Sequence, residues 1–414
     1  MSALLKSWVE TANQPASPFP LNNLPYGVFS TTDKAPRCGV AIGDVILDCA
    51  AAEQAGLITF NGTDLLQSAS WNPLMASGRA NWTSLRNQLV LLLQEASPHQ
   101  EKLTPLLTSQ ADAIMHMPFT VSEFTDFYAG YHHAKNVGTM FRGPENALPV
   151  NWLHMPIGYN GRASSVVISG TDIKRPSGQI KQNDQDNPIF VPSNKFDFEL
   201  ELGAVIGLPS DRRLSVDEAD DMIFGYVLLN DWSARDIQAW EYQPLGPFQA
   251  KATATTISPW IVTADALAPF RTSTPPRKIE LLAHIKDTKP MGYDIALNVS
   301  LQTGYGTSKI ISQTNTQDLY YSSAQQLAHH TSSGCPMRVG DLLGSGTISG
   351  ADPLSRGSLL ELSWGGKEPL QIGDEERSFL NDYDTITFTG TAIGDGFTIG
   401  FGTCSGTIMP AEKT

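Results

Sequence analysis

Three carboxylates alternate with apolar side chains in the stretch Lys195–Gly203, Lys-Phe-Asp-Phe-Glu-Leu-Glu-Leu-Gly. Because successive side chains of a strand point to opposite faces, Asp197, Glu199 and Glu201 should share one face of a half-buried strand. Carboxylates two residues apart lie roughly 7 Å from each other and repel by about 2 kcal/mol at an effective dielectric of about 20. Such a row favours a hard divalent cation such as Mg²⁺ or Ca²⁺, which prefers oxygen ligands. An ordinary solvated strand face is the open alternative.

The stretch Asp126–His133 brings an acid and two histidines together, in the order Asp-Phe-Tyr-Ala-Gly-Tyr-His-His. We predict a helix over Asp126–Asn136, with Asp126 near its N-terminus, where a carboxylate is favoured as a cap and by the helix dipole. Asp126 and His133 lie about two turns apart and would share a face of this helix. A plain N-cap and a structural histidine are the open alternatives.

A third group of polar residues follows the apolar strand predicted at Phe224–Leu229. Asp231 stands at the end of this strand and before a predicted helix, a position at which sheet proteins commonly bind ligands. Arg235 and Gln238 are three residues apart and are therefore neighbours on one helix face. The loop over residues 242–256 contains prolines and glycines that fix its path, which is typical of a functional loop.

The elements that must position these residues are mostly strands. The predicted strands are Ser164–Ser169, Phe196–Ile206, Gly225–Leu229, Trp260–Thr263, Ile279–Lys286, Leu359–Trp364 and Thr385–Thr391, and the predicted helices are Asp126–Asn136, Asp217–Met222, Ser233–Trp240 and Thr316–His330. Because strands and helices do not alternate strictly, the fold class is mainly β with some α, in antiparallel or mixed sheets. Gly394-Asp-Gly396 predicts a hairpin turn, and since no strand leads into a helix there, the pattern excludes a dinucleotide site.

A smaller leading unit is expected at residues 1–118 and a larger catalytic unit at residues 119–414, since 414 residues exceed one ordinary domain. Asn23–Phe29 and Gly39–Leu47 predict short strands of a small β-barrel or sheet, and Trp82–Glu95 has a helical spacing of leucines. The leading unit has no cluster of convergent polar residues, so we expect it to support the catalytic unit.

The composition limits the partners of the chain. A net charge of −14 excludes nucleic acid and anionic membrane surfaces, because both need a basic surface. The cysteines Cys38, Cys49, Cys335 and Cys404 form no Cys-x-x-Cys pair, which predicts free thiols in a reducing compartment. The N-terminal residues lack the apolar core of a signal peptide, and the longest apolar run, Leu89–Leu93, is too short for a membrane span. We therefore expect a cytoplasmic protein.

The polar groups belong to an ordered series of motifs. The series is Asp126-Phe-Tyr128 with His133, Met140-Phe-Arg142, Gly158-Tyr159-Asn-Gly-Arg162, Glu199-Leu-Glu201, Asn230-Asp231-Trp-Ser-Ala-Arg235-Asp-Ile-Gln238, Trp240-Glu-Tyr242, Ser345-Gly-Thr347-Ile-Ser-Gly350 and Leu360-Glu361-Leu-Ser-Trp364. In its order, and in its extent over nearly the whole chain, the series resembles the fumarylacetoacetase family (fumarylacetoacetate hydrolase family).

The resemblance implies a homodimeric, metal-dependent hydrolase that splits a carbon–carbon bond of 4-fumarylacetoacetate to give fumarate and acetoacetate. In that family this is the last step of tyrosine and phenylalanine breakdown. The resemblance also implies an N-terminal SH3-like small β-barrel and a C-terminal mixed β-sheet roll of the fumarylacetoacetase type.

Roles for single residues are implied by the same resemblance. The ligands of Ca²⁺ and Mg²⁺ are Asp126, Glu199, Glu201 and Asp231, with Lys251 and Thr255 in the surroundings of a second, structural Mg²⁺. The catalytic groups are His133 as the base, Glu361 as its orienting partner, and Arg235, Gln238 and Lys251, which stabilise developing negative charge. The substrate-binding residues are Tyr128, Arg142, Tyr159, Gln238, Tyr242 and Thr347.

Three features depart from the family pattern. Residues 129–132 differ from a stretch that is usually more polar, and they place His132 beside the base. Ala254 stands where the family tends to have glycine. Asp197 is a third acid on the strand and is not among the family's ligands, so we predict that it lies off the metal, either solvated or salt-bridged.

Two other functions stay open at this point. One is a related metal-dependent acylpyruvate hydrolase, decarboxylase or hydratase that acts on another keto acid. The other is a catalytically inactive metal-binding scaffold. The presence of His133, Glu361, Arg235 and Lys251 together argues against the scaffold, which has no use for that set.

Overall fold

The computed structural model describes residues 3–182, 185–304 and 306–412. Five short strands in the leading part of the chain form an antiparallel sheet in the order β4-β3-β2-β1-β5, with four helices around it. The strands are β1 (Tyr26–Ser30), β2 (Arg37–Ile42), β3 (Val45–Asp48), β4 (Leu107–Ser109) and β5 (Ile114–His116), and the helices are α1 (Cys49–Gln54), α2 (Asn72–Ala76), α3 (Arg79–Leu93) and α4 (Gln100–Leu103). The predicted strands and the predicted leucine-faced helix of this part are confirmed, with small changes at their ends.

The remaining chain is rich in short strands. These are β6 (Phe124–Phe127), β7 (Gly158–Asn160), β8 (Val166–Ile168), β9 (Ile173–Lys174), β10 (Ser177–Ile180), β11 (Ile189–Pro192), β12 (Phe196–Asp197), β13 (Leu200–Ile206), β14 (Ile223–Asp231), β15 (Ser233–Ala234), β16 (Thr255–Ile257), β17 (Val262–Thr263), β18 (Arg271–Thr272), β19 (Gly292–Tyr293), β20 (Ala296–Gln302), β21 (Ser308–Asn315), β22 (Leu342–Gly344), β23 (Leu370–Ile372), β24 (Glu375–Arg377), β25 (Thr385–Ile393) and β26 (Thr398–Met409). The helices are α5 (Tyr131–Arg142), α6 (Val216–Met222), α7 (Arg235–Glu241), α8 (Ala264–Leu267), α9 (Ser323–His330) and α10 (Leu359–Leu362).

Two sheets organise this larger part. The central sheet has the order β7-β6-β22-β13-β14-β16-β8, and β17 also pairs with β14. Its β6–β22 and β16–β8 pairs are parallel and its other pairs are antiparallel, so the predicted mixed sheet is confirmed. The second sheet has the order β21-β20-β25-β26-β9, and the predicted hairpin turn at residues 394–396 joins β25 to β26.

Both faces of the central sheet are covered. Along β14, Tyr226 and Leu228 pack into one apolar core together with the second sheet, whereas Val227 and Leu229 pack into another core together with the leading part of the chain. All residues of β13 and β14 are buried for this reason. The prediction of a half-buried strand at Phe196–Ile206 is therefore wrong, and this strand is also interrupted at residues 198–199, between β12 and β13.

The predicted helix over Asp126–Asn136 is wrong at its start. Asp126 lies in strand β6, which pairs with β22 on one side and with β7 on the other, and helix α5 begins only at Tyr131. Pairing on both edges outweighs the local preference of an aspartate for a helix N-terminus. Asp126 and His133 consequently do not share a helix face.

Two predicted strands are absent. Ile279–Lys286 contains only a single 3-10 turn at Ala283–Ile285; Leu281 and Ile285 are buried in a small core and Leu282 is 67% exposed, so its apolar residues pack without strand pairing. Leu359–Trp364 begins instead as helix α10, because Ser358 caps it by accepting a hydrogen bond from the Glu361 amide at 3.3 Å. The other predicted helices and strands are found, although α9 starts only at Ser323, after a 3-10 turn.

The four cysteines are free, as predicted, and three of them, Cys38, Cys49 and Cys404, are buried. Within the residues that the structure describes, no helix combines the length and apolar character needed to cross a bilayer.

Candidate active site

Four buried carboxylates converge beside the central sheet. Asp126, Glu199, Glu201 and Asp231 each bring an oxygen atom within 4.8 Å of the others, and each side chain is at most 5% exposed. All four were predicted as metal ligands from the sequence, and the structure brings them together.

The order of the central strands explains this convergence. Asp126 lies in β6, Glu201 in β13 and Asp231 at the end of β14, while Glu199 stands in the break just before β13. Strand β22 lies between β6 and β13, and Gly344 in it pairs with Asp126. A Cβ atom at Gly344 would lie 2.8 Å from Glu201 Oε2 and 3.0 Å from Asp126 Oδ1. The absence of a side chain at Gly344 therefore makes the space in which the two carboxylates meet.

The charges of this acidic cluster are only partly balanced by the protein. Burial, and then repulsion from Asp231, raises the pKa of Asp126 well above its usual value, and burial with repulsion from Asp126 does the same for Glu201. Asp126 Oδ1 and Glu201 Oε1 have no hydrogen-bond partner among the described residues. Buried carboxylate oxygens without donors fit a hard divalent cation, which takes oxygen ligands.

The other side of the cluster is neutralised by Lys251 and Arg235. The Lys251 ammonium donates to Glu199 Oε2 and, at 2.8 Å, to Asp231 Oδ2. Arg235 Nη1 donates to Glu199 Oε1 at 2.6 Å. Burial on its own would raise the pKa of Glu199, but the charges of Lys251 and then Arg235 outweigh it and hold this pKa below its usual value. Glu199 is therefore an ionised carboxylate that Lys251 and Arg235 hold in place.

Three further residues that were predicted for the site surround this cluster. Thr255 Oγ1 donates to Asp231 Oδ1 at 3.0 Å, and the Tyr159 hydroxyl donates to Asp231 Oδ2 at 3.1 Å. Gln238 Oε1 lies 3.3 Å from Arg235 Nη1, as expected for neighbours on helix α7.

A buried histidine and glutamate form the second part of the site. His133 Nδ1 lies 2.6 Å from Glu361 Oε2, and both side chains are at most 5% exposed. Burial would raise the pKa of Glu361, but the neighbouring His133 and the hydrogen bonds to the carboxylate lower it below its usual value. An ionised Glu361 accepts a hydrogen bond from Nδ1–H, which leaves Nε2 of the ring as the atom able to take a proton.

Sequence reasoning missed the groups that hold Glu361. Asn136 Nδ2 donates to Glu361 Oε1 at 2.9 Å, and the hydroxyls of Ser349 and Ser358 donate to Oε2 at 3.0 and 2.9 Å. Asn136 follows His133 by three residues on a helix, a spacing that the sequence already contained. Ser349 comes together with Glu361 only in the folded chain, whereas Ser358 precedes Glu361 by three residues, the spacing of a helix N-cap.

The predicted substrate-binding residues fall into two groups. Tyr128 packs edge-on against His133, with ring centroids 5.4 Å apart, and the buried Thr347 hydroxyl has no partner among the described residues. Tyr128 therefore lies against the His133–Glu361 part of the site. Arg142 and Tyr242 are exposed instead, and Arg142 donates to the backbone oxygens of residues 146 and 147. The structure does not bring these two into the cluster.

Asp197, the third carboxylate of residues 195–203, lies outside the acidic cluster. It is fully buried and hydrogen-bonds to Arg235 Nε at 2.9 Å. Of the two predicted states, solvated or salt-bridged, the structure shows the salt bridge, and Asp197 is not among the four convergent carboxylates.

Sequence comparisons cover almost the whole chain. A family model described as Fumarylacetoacetase N-terminal matches residues 22–118, and one described as Fumarylacetoacetate (FAA) hydrolase C-terminal matches residues 123–408. Fumarylacetoacetase of Arabidopsis thaliana is 47% identical over 420 residues, which are 99% of each chain. Fumarylacetoacetase of Homo sapiens is 46% identical over 407 residues, which are 95% of this chain and 97% of the human one.

Solved structures show the same fold at lower sequence similarity. Fumarylacetoacetate hydrolase from psychrophilic Exiguobacterium antarcticum has a TM-score of 0.55 and 16% identity over 94% of this chain and 99% of its own. Maleylpyruvate hydrolase from Sphingobium sp. SYK-6 has a TM-score of 0.52 and 17% identity over 94% of this chain and all of its own. From the two family models and the relatives at 46–47% identity, the chain belongs to the fumarylacetoacetase family and is a hydrolase.

Proposed function

We propose that this chain hydrolyses a carbon–carbon bond of 4-fumarylacetoacetate to give fumarate and acetoacetate, the last step of tyrosine and phenylalanine breakdown. The observation that carries the proposal is the buried His133–Glu361 pair, in which His133 Nδ1 lies 2.6 Å from Glu361 Oε2. The relatives at 46–47% identity are fumarylacetoacetases, which supports this substrate.

In this proposal His133 is the general base. Its Nε2 takes a proton from water, because Nδ1 is bound to Glu361, and imidazole is the side chain suited to this task at neutral pH. The water oxygen forms a bond to the keto carbon of the fumaryl group, which becomes a carboxyl carbon of fumarate. The bond from that carbon to the methylene between the two keto groups then breaks, and its electron pair leaves as the enolate of acetoacetate, which takes up a proton. Glu361 keeps the ring in the right tautomer and stabilises the imidazolium.

Arg235, Gln238 and Lys251 would stabilise the negative charge that develops on the substrate oxygens. Lys251 keeps its charge, since Asp231 and Glu199 raise its pKa despite its burial. Arg235 Nη2 lies 2.9 Å from Asp197 Oδ2 and Nη1 donates to Glu199, so these two carboxylates hold the guanidinium beside the acidic cluster. Fixed donors aimed at developing charge are usually the largest single catalytic contribution.

Asp126, Glu199, Glu201 and Asp231 would hold the divalent cation, Ca²⁺ or Mg²⁺. A cation bound there supplies Lewis-acid polarisation of the keto oxygens. For a second Mg²⁺, Lys251 and Thr255 could contribute through backbone oxygens, because a charged ammonium has no lone pair to offer.

Tyr128, Tyr159, Gln238 and Thr347 would contact the substrate within the site, and Arg142 and Tyr242 would bind it at the exposed side. Arg142 has Nε and Nη2 engaged with backbone oxygens, so its Nη1 is the group that would meet a substrate carboxylate. Because the sequence has a net charge of −14, a dianionic substrate needs such a local cation.

We extend the proposal to the architecture and setting of the enzyme. Residues 1–118 would form a separate SH3-like unit, supported by their own five-stranded sheet, and residues 119–414 the catalytic unit. The active form would be a homodimer, which sedimentation of the purified protein tests. The free cysteines support a reducing compartment, and we propose the cytoplasm.

The deciding experiment is a turnover assay with purified 4-fumarylacetoacetate, followed by loss of absorbance at the diketone band. We expect turnover that a chelator abolishes and that Ca²⁺ or Mg²⁺ restores. Chelator-resistant turnover would contradict the metal assignment. If the protein turns over a simpler acylpyruvate but not 4-fumarylacetoacetate, the acylpyruvate is the substrate and the proposed substrate is wrong.

A further inference from the structure

One carboxylate of residues 195–203 lies outside the acidic cluster, and both of its oxygens accept hydrogen bonds from the protein. Asp197 Oδ1 accepts hydrogen bonds from the amides of Phe198 and Leu359, each at 2.8 Å. Asp197 Oδ2 accepts from the amide of Leu360 at 3.0 Å and from Arg235 Nε at 2.9 Å. Four donors therefore meet a single carboxylate that has no exposed surface.

The donors come from two different parts of the site. Arg235 begins helix α7 and holds Glu199 through Nη1 at 2.6 Å. Leu359 and Leu360 are the first residues of helix α10, and the next residue is Glu361, the partner of His133. Asp197 is thus the bridge between the guanidinium at the acidic cluster and the backbone that carries Glu361.

The geometry of arginine makes the Arg235 contact directional. A guanidinium is a rigid planar fork, so fixing Nε also fixes where Nη1 and Nη2 point. On the other side, the amides at the start of α10 have no partners inside the helix and need an acceptor. Asp197 supplies that acceptor, and it therefore sets the direction of the first turn of α10.

We propose that Asp197 is a positioning residue for the proposed hydrolysis, one that aligns Arg235 with the acidic cluster and Glu361 with His133. This inference rests on the proposed function. It assigns Asp197 no contact with substrate or cation, and its effect on turnover passes through Arg235 and Glu361.

The chain offers a matched control in Asp236, the neighbour of Arg235 on helix α7. Asp236 also ties α7 to the preceding segment, by accepting from the Ser193 hydroxyl at 2.5 Å and from the Asn194 amide at 2.7 Å. It makes no hydrogen bond to Arg235 or to helix α10 among the described residues. Asp236→Asn therefore removes a hydrogen-bonded carboxylate from the same helix without touching the bridge.

The kinetic test compares Asp197→Asn with Asp236→Asn in the assay above, with Ca²⁺ affinity measured by calorimetry. We expect kcat to fall at least tenfold in Asp197→Asn with KM changed less than threefold, and both to stay within threefold of wild type in Asp236→Asn. Ca²⁺ affinity should change less than threefold in both variants. Equal kcat values for the two variants would overturn the proposal. So would a loss of Ca²⁺ affinity as large as the loss of kcat, since that would place the effect in the acidic cluster.

A second measurement does not depend on the substrate. The short His133–Glu361 contact should give a downfield ¹H resonance for the Nδ1 proton, assigned by its absence in His133→Asn. We expect this resonance to shift or broaden in Asp197→Asn and to stay in place in Asp236→Asn, and an unchanged resonance in Asp197→Asn would overturn the proposal. A wild-type protein that does not turn over 4-fumarylacetoacetate would contradict the proposed function, while this spectrum would still decide on Asp197.

Asp197→Asn leaves the buried Arg235 guanidinium with Glu199 as its remaining carboxylate partner and could fail to fold. The double variant Asp197→Asn/Arg235→Gln, compared with Arg235→Gln, removes that problem, because neither residue of the Asp197–Arg235 pair is then charged. If Asp197 acts partly through Arg235, Asp197→Asn lowers kcat by a factor that is at least threefold smaller in the Arg235→Gln background than in the wild-type background. An equal cost in both backgrounds, or an unshifted His133 resonance in the double variant, would overturn the proposal.

Discussion

The Nδ1 atom of His133 lies 2.6 Å from Oε2 of Glu361, although 228 positions separate the two residues in the chain. His133 is in helix α5 and Glu361 in helix α10, and Asn136 of α5 also donates to Glu361. His133 and Glu361 are therefore aligned by the packing of two helices, one of which starts at the Asp197 carboxylate.

Replacing His133 by alanine should remove most turnover and leave the cation bound. Loss of a general base typically costs about 10²–10⁴-fold in rate. The matched control is His132→Ala, since His132 is half-buried on the same helix and packs edge-on against Tyr131 rather than against Glu361. Stopped-flow or steady-state turnover, with Ca²⁺ calorimetry, checks both variants. Wild-type turnover in His133→Ala would show that His133 is not the general base.

Replacing Glu201 by alanine should weaken Ca²⁺ binding by at least about 10²-fold, because it removes an oxygen donor that has no other partner. Glu53→Gln is the control for loss of a buried carboxylate, since Glu53 is 8% exposed and accepts three hydrogen bonds in the leading part of the chain. Calorimetry with Ca²⁺ measures both. Unchanged Ca²⁺ affinity in Glu201→Ala would show that other residues bind the cation.

A single methyl group at Gly344 should disturb the acidic cluster. The added Cβ would approach Glu201 Oε2 to 2.8 Å and Asp126 Oδ1 to 3.0 Å, so these carboxylates must move apart. We expect Gly344→Ala to weaken Ca²⁺ affinity at least tenfold and to lower kcat, with a smaller change in thermal stability than in affinity. An affinity equal to that of wild type would show that the cluster does not need this space.

The stability of the fold should depend on pH through Asp341, just before strand β22. Burial raises the pKa of Asp341 to about 6 in the folded protein, and Oδ1 has no partner among the described residues. Folding therefore favours the protonated form, whose stabilising effect is complete below the unfolded pKa of about 4 and is lost as the pH rises through 6. Relative to wild type, Asp341→Asn should gain about 1–2 kcal/mol in free energy of unfolding between pH 4 and pH 7.

Denaturant unfolding of Asp341→Asn and wild type across this pH range tests the prediction. Asp374→Asn, at an exposed position, is the control and should follow wild type. A constant difference between Asp341→Asn and wild type from pH 4 to pH 7 would contradict the raised pKa.

The sequence allowed the convergence of the four carboxylates, strands β8, β13, β14 and β17 of the central sheet, and the His133–Glu361 pairing to be predicted, largely through ordered motifs. The secondary-structure predictions are wrong where the local sequence pattern and the tertiary pairing disagree. Asp126 has the neighbours of a helix cap but lies in a strand that is paired on both edges. Leu359–Trp364 alternates like a strand, yet Ser358 and Asp197 turn its start into a helix.

The partners of buried polar atoms could not be predicted from the chain alone. Ser349 and Asn136 reach Glu361 only after separate segments of the chain have packed together. Likewise, nothing in the local pattern of residues 195–203 indicated that the other face of this strand is covered too, because that cover comes from residues far away in the sequence.

The position of strand β22 between β6 and β13 links the ion to the integrity of the sheet. A cation held by Asp126 and Glu201 would clasp two strands that are not hydrogen-bonded to each other, across the glycine of the strand between them. By mass action, a ligand at about 100 times its dissociation constant adds about 2.7 kcal/mol to the free energy of unfolding. The concentration of free calcium or magnesium would then affect the lifetime of the folded protein as well as its turnover rate.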